Sequence, residues 1–173
     1  MSDLVRKLKR AAVEPSRVFA QSDTRDLREP LWHFTVGSES WFAPWAGAWM
    51  VVGGDCKVLT RAVDKLGMHT FGEAPGISRL LARTDTPVNL DEPELNFAGA
   101  PKHIYPVCRV TGDRLCLGAV PATPVYYAYR RFGTDGTWVL SESGKAVIYC
   151  VNDVPVAVVA LGSEPEPELA ETA

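Results

Sequence analysis

The sequence predicts an α+β domain in which two amphipathic helices are each followed by three short strands. Its 173 residues are 46% hydrophobic and 23% charged, as is typical of a globular chain long enough to bury a core. Apolar residues recur at helical spacing in residues 2–13 and 124–132. Strand-like runs bounded by turn residues follow each of these segments. The same helix-plus-three-strand unit is therefore predicted twice.

The first unit begins with a helix predicted over residues 2–13, whose apolar side chains occupy one arc of the helical wheel. The opposite arc carries the cations Arg6, Lys7, Lys9 and Arg10. β-forming residues separated by turn-like breaks predict the strands that follow. These strands are expected at residues 31–36, 40–43 and 48–52.

The middle of the chain, residues 53–102, is predicted to be an insertion within a domain that spans residues 1–162. A helix is expected over residues 56–66, where an apolar stripe ends at a glycine, and a shorter helix over residues 77–83. Residues 84–103 contain three prolines and a cluster of acids, which favour an irregular loop.

The second unit contains a helix predicted over residues 124–132. Thr123 supplies a capping hydroxyl, Pro124 suits the first helical position, and Gly133 ends the helix. The core stripe is predicted to be Val125, Ala128, Tyr129 and Phe132, with Tyr127, Arg130 and Arg131 pointing elsewhere. Strands are expected before the helix at residues 104–110 and 114–120, and after it at 137–141, 146–151 and 154–161.

Charge and hydropathy exclude several classes of protein. The net charge of −3 excludes a generally basic nucleic-acid binder but leaves room for a locally basic face. No apolar run approaches the ~20 residues of a membrane-spanning helix, and the N-terminal residues lack the apolar stretch of a secretory signal. We therefore expect a cytoplasmic protein without membrane contact. Residues 163–173 are acidic and Pro-rich, which predicts a disordered tail.

The cysteines are expected to be reduced core thiols. Cys108, Cys116 and Cys150 lie in apolar, strand-like runs, and free cysteine is among the most buried residue types. No two of the four cysteines have the close spacing of a zinc site. The sequence therefore predicts neither a metal nor a cofactor.

The repeated helix-plus-three-strand unit resembles the DNA sliding clamp, the beta subunit of bacterial DNA polymerase III. Each domain of that family pairs two such units about a pseudo-twofold axis. Residues 103–110 look like the tyrosine-proline strand of bacterial clamp domains, and residues 154–161 look like the closing strand near the end of such domains. The chain is similar to a divergent relative of the kind that phages and mobile elements carry.

The resemblance implies a non-catalytic protein that binds DNA without reading its sequence, or that binds replication proteins. The helices of a clamp face the DNA backbone, and long basic side chains meet its phosphates. The residues expected to make these contacts are Arg6, Lys7, Lys9, Arg10, Arg130 and Arg131. The resemblance also implies a homo-oligomer, because a closed ring needs more domains than this chain contains.

Two other classes of function are compatible with the residues. A protein-interaction or inhibitor module acting on a host protein would use a tryptophan-rich sheet surface around Trp41, Trp45 and Trp49. A cysteine-dependent enzyme would use Cys108 or Cys150 as the nucleophile. Its partners would come from His33, His103, Asp113 and Asp153.

Overall fold

The structure, a computed structural model, describes residues 3–11, 31–43, 49–52, 68–73, 79, 81–94 and 106–162. Its helices are α1 (Asp3–Ala11) and α2 (Ala122–Phe132). Its strands are β1 (Leu31–Val36), β2 (Glu39–Ala43), β3 (Trp49–Val52), β4 (Met68–Glu73), β5 (Arg83–Leu90), β6 (Val107–Gly112), β7 (Leu115–Pro121), β8 (Thr137–Ser141), β9 (Ala146–Val151) and β10 (Val154–Ala160). The described part of the chain is thus sheet-rich with two helices, which fits the predicted α+β class only loosely.

The described strands form one sheet in the order β4-β1-β2-β3-β10-β9-β8-β5-β6-β7. Neighbouring strands are antiparallel, except that β4 runs parallel to β1. Two hairpins turn through pairs of residues with positive φ, Asp113-Arg114 and Asn152-Asp153. This geometry matches the right-handed twist of the flanking strands, so both turns bring their strands directly into register.

The two predicted units meet where β3 pairs with β10 in antiparallel register, with Val51 opposite Ala157. Each unit is a three-stranded meander that ends at this pair. The strand order is therefore β1-β2-β3 on one side of the junction and the reverse, β10-β9-β8, on the other. All six strands predicted for these two meanders are confirmed, with boundaries that differ by at most one residue.

Alternate residues of the central strands face opposite sides of the sheet. On β9, Val147 and Tyr149 pack in the cluster that includes Val125 of α2. Ile148 and Cys150 pack in a second cluster on the other face. Ala146–Cys150 are buried without a break, because apolar side chains cover this strand on both faces.

The helices pack against one another on one face of the sheet. Leu8 of α1 is fully buried in the same cluster as α2. The prediction that Tyr127 points away from the core is wrong, because α2 contacts α1, β7 and β10 and Tyr127 is only 5% exposed.

The predicted start of α2 is also corrected. The helix begins at Ala122, and Pro121 occupies the N-cap position without a capping side chain. The Ala122 N–H instead donates to Pro106 O at 2.9 Å. Thr123 is therefore a buried first-turn residue and not the cap, and Pro124 is tolerated because the N–H groups of a first turn lack intrahelical partners.

The loop predicted from residue 84 onwards is wrong for its first part, because residues 83–90 form β5. This strand lies between β8 and β6, and its Val88 is buried in the core. Pro87 is exposed beside a register shift, where its missing N–H costs little. β4, at one edge of the sheet, was not predicted.

Several sequence predictions lie outside the described residues. They include the helix over residues 56–66, residues 77, 78 and 80 of the helix over residues 77–83, and the tail at residues 163–173. Arg83, the last residue of that second helix prediction, belongs to β5.

Tyr149 closes the turn between α2 and β8. Its hydroxyl donates to Gly133 O at 2.6 Å and accepts from the Gly136 N–H at 3.0 Å. A Cβ at Gly136 would lie 2.6 Å from the Tyr149 ring and 2.5 Å from Cys150 O, so only glycine lets the turn approach this closely. The hydroxyl thus fixes where the C-terminal end of α2 meets the sheet.

We expect Tyr149→Phe to lower the free energy of unfolding by about 1–3 kcal/mol, because it leaves the Gly133 and Gly136 groups without their partner. Tyr126→Phe is the matched control, since the Tyr126 hydroxyl makes no hydrogen bond within the described residues. It should change stability by about 0.5 kcal/mol or less. Urea denaturation measures the free energy of unfolding of each variant. Equal decreases in the two variants would contradict this role of Tyr149.

Candidate functional site

Arg6 and Lys7, two of the predicted phosphate contacts, are engaged in ion pairs. Both contact Asp3, and Lys7 Nζ also lies 2.5 Å from Glu92 Oε1. The hydrogen bonds to Glu92 and then to Asp3 raise the pKa of Lys7, and the bonds from Arg6 and then Lys7 lower the pKa of Asp3. Because Glu92 follows β5, Lys7 ties α1 to the sheet.

Lys9 and Arg130 come together at a cleft between the helices, which we call the helix cleft. Its volume is ≈ 460 Å³, and it is lined by Val5, Lys9, Tyr126, Tyr129, Arg130, Gly133 and Thr134. Lys9 and Arg130 are both exposed, and neither forms an ion pair within the part of the chain that the structure describes. Two predicted cations from distant parts of the sequence thus share one site.

The remaining two predicted cations lie elsewhere. Arg10 is exposed and lines a shallow depression with Lys7 and Glu94. Arg131 is half-buried, and its Nε donates to Val52 O at 3.3 Å. Its guanidinium therefore connects α2 to the end of β3 and does not line the helix cleft.

Aromatic side chains form one wall of the helix cleft. Trp138 Nε1 donates to the Tyr129 hydroxyl at 3.0 Å, and the Tyr129 ring makes edge contacts with Trp138 and Tyr149. Burial raises the pKa of Tyr129, which therefore stays neutral around pH 7. Tyr126 is half-buried and makes no hydrogen bond or ring contact with another described residue. Both rings pack against the core cluster, but of the two only Tyr129 has a hydrogen bond and ring contacts to other described residues.

The proposed tryptophan surface is not formed by Trp41. This side chain is 2% exposed and packs with Phe34 and Ile148 on the face of the sheet opposite the helices. Phe42, the next residue on β2, faces the helices. Because successive side chains of a strand point to opposite faces, Trp41 points to the other face of the sheet. Trp45 lies outside the described residues, as does the side chain of Trp49.

The two candidate nucleophiles have the character of core thiols. Cys108 is fully buried, and desolvation raises its pKa to about 12. Cys150 is also buried and accepts a hydrogen bond from Arg83 Nη1 at 2.9 Å, but desolvation outweighs the arginine and raises its pKa. Cys108, Cys116 and Cys150 are free thiols, as predicted.

The proposed partners of these thiols serve other contacts. His33 stacks on Phe42 with ring centroids 4.9 Å apart, and its Nε2 lies 3.1 Å from Ser40 Oγ. Asp113 and Asp153 occupy the two tight hairpin turns. In the described ranges, no histidine is hydrogen-bonded to Cys108 or Cys150. His103 lies outside them.

Comparisons with known proteins give no relative: no family model, no curated protein and no solved structure matches the chain. The described residues contain no group of three or more histidine, cysteine or acidic side chains that could hold a metal ion. Neither described helix is long and apolar enough to span a membrane. The helix cleft is therefore the candidate site, and its own residues carry the functional argument.

Sequence reasoning missed the aromatic wall. The sequence predicts Tyr126 and Tyr129 only as part of a helix, with Tyr129 in its core stripe. The available signal was the spacing of Tyr126 and Arg130, which are four residues apart and therefore share one helix face. The opposing wall, with Val5 and Lys9 of α1, could not be found in this way because it depends on how the helices pack.

We expect Cys108 and Cys150 to react with iodoacetamide much more slowly than glutathione does at pH 7. A thiol of pKa about 12 has roughly a thousandfold less thiolate than one of pKa 9.0. Site-resolved mass spectrometry of the native protein gives the rates, and labelling in denaturant is the control. Labelling of either native thiol as fast as that of glutathione would revive the cysteine-enzyme hypothesis.

We also expect stability to fall as the pH rises above about 9. The folded pKa of Cys108, about 12, is higher than its ordinary value of 9.0, so its contribution is complete below pH 9 and is lost between pH 9 and 12. The stability advantage of the wild type over Cys108→Ala should shrink across this interval. Val110→Ala, in the same core cluster, should keep a constant difference from the wild type. Chemical denaturation at several pH values measures both differences.

Proposed function

We propose that the protein is a non-catalytic, clamp-like DNA-binding protein that contacts backbone phosphates at the paired helices. The observation that carries this proposal is the meeting of Lys9 and Arg130 at the helix cleft. Arg10, also exposed on α1, adds a third cation. The proposal replaces the six predicted contacts by these three, since Arg6, Lys7 and Arg131 have protein partners.

The order of the strands supports the comparison with a clamp domain. Two helix-plus-meander units join through their last strands, and their helices pack together on one face. This is the arrangement that a pair of units related by a pseudo-twofold axis would produce. In such a domain the helices are the elements that meet DNA, and here they carry Lys9, Arg10 and Arg130, which form no ion pair with another described residue.

The electrostatics favour binding that is weak and independent of sequence. Lysine and arginine side chains attract phosphates without reading bases. A net charge of −3 gives DNA no general attraction to the protein, so binding has to come from locally placed cations such as those on the helices. Three cations give modest affinity for one copy, so a homo-oligomer that presents several helix pairs is part of this proposal.

The first test reverses the two cleft cations in the variant Lys9→Glu/Arg130→Glu. Three phosphate contacts predict that log K falls with log salt with a slope of roughly −3 for duplex DNA. The double variant should lose at least tenfold in affinity at low salt and about two units of this slope. Fluorescence anisotropy with a labelled duplex, at several salt concentrations, measures both quantities.

The matched control is Arg114→Glu/Lys145→Glu, which makes the same change in net charge at two exposed residues of hairpin turns. It should bind DNA with the salt slope of the wild type. Equal losses in both double variants would show that only the overall charge matters. A wild type without salt-sensitive DNA binding would overturn the proposed function and favour a role in binding other proteins.

A further inference from the structure

The helix cleft combines cations with aromatic rings, which fits a ligand that carries both a phosphate and a flat ring. Its exposed cations, Lys9 and Arg130, flank a wall formed by the rings of Tyr126 and Tyr129, with Val5 completing the apolar lining. Its volume of ≈ 460 Å³ is in the range of small-molecule sites, about 300–1,000 Å³. A cleft of this volume is large enough for one nucleotide.

Tyr126 is the ring that could receive a base. Tyr129 is held by Trp138 and Tyr149, whereas Tyr126 lines the cleft without a ring contact to another described residue. Tyrosine stacks on any base, because every base has a π-face. Tyr126 and Arg130 are four residues apart on one face of α2, so a base on the ring would have its phosphate near a cation.

We propose that the helix cleft binds one nucleotide of a single strand, with its base on Tyr126 and its phosphate at Lys9 and Arg130. Bases of a duplex are stacked on each other and cannot reach a ring inside the cleft. The protein should therefore prefer single-stranded to duplex DNA. This inference rests on the proposed function, since it names the form of DNA that the same surface prefers.

The test compares a labelled 15-nucleotide thymidine strand with a 15-base-pair duplex by fluorescence anisotropy at one salt concentration. The wild type should bind the single strand at least fivefold more tightly. Tyr126→Leu should weaken single-strand binding roughly fivefold to hundredfold, the usual effect of losing one stacked base, and change duplex binding less than twofold. Tyr126→Phe is the matched control and should retain the preference, because the ring remains.

Two further measurements test the nucleotide site without relying on the Tyr126 variants. Thr134→Leu places a larger side chain without a ring at an exposed residue of the cleft lining and should remove the single-strand preference even if Tyr126→Leu misfolds. Thymidine monophosphate should displace the single strand from the wild type at concentrations where inorganic phosphate at equal ionic strength does not. Displacement by both alike would show a phosphate site without base stacking.

The outcomes separate this inference from the proposed function. Equal wild-type affinity for both DNA forms, or a preference that survives both Tyr126→Leu and Thr134→Leu, would overturn the nucleotide site and leave phosphate binding intact. The nucleotide site would also be overturned if Lys9→Glu/Arg130→Glu alone lost binding to both forms of DNA and the Tyr126 and Thr134 variants had no effect. A wild type that binds neither DNA form would overturn the proposed function itself.

Discussion

The antiparallel pairing of β3 with β10 is the constraint on which the rest of the structure depends. It joins two meanders into one sheet, and its Val51 and Val159 are buried in the cluster that packs against both helices. The helices α1 and α2 pack against each other and against this cluster, on one face of the joined sheet. The helix cleft exists because these two helices are neighbours there.

Because the central strands are buried on both faces, few of their side chains are accessible to a ligand or substrate. Cys108, Cys150 and Trp41 are buried in the same apolar packing that stabilises the sheet, so neither thiol resembles an activated nucleophile. The buried hydroxyl of Ser141 accepts a hydrogen bond from the Ala146 N–H at 3.1 Å. The core therefore serves stability, and candidate chemistry is left to the surface above the helices.

Neighbouring acids decide which cations of the helix surface are available to a ligand. Asp3 and Glu92 engage Arg6 and Lys7, and the carbonyl of Val52 engages Arg131. An exposed ion pair contributes little to stability, roughly 0–1 kcal/mol, but it lowers the field that a phosphate meets. Of the six basic residues predicted to contact phosphates, those without such a partner form a smaller site centred on Lys9 and Arg130.

The sequence by itself determined the local elements: α1, the six meander strands and the glycine that ends α2 follow from periodicity and turn residues. Tertiary structure alone decided that 83–90 is a strand, because its pairing with β6 and β8 overrides the interruption expected from Pro87. It also decided that Tyr127 is buried and that Lys9 and Arg130 line the same cleft. Sequence patterns report contacts a few residues apart, whereas these positions depend on partners distant in the chain.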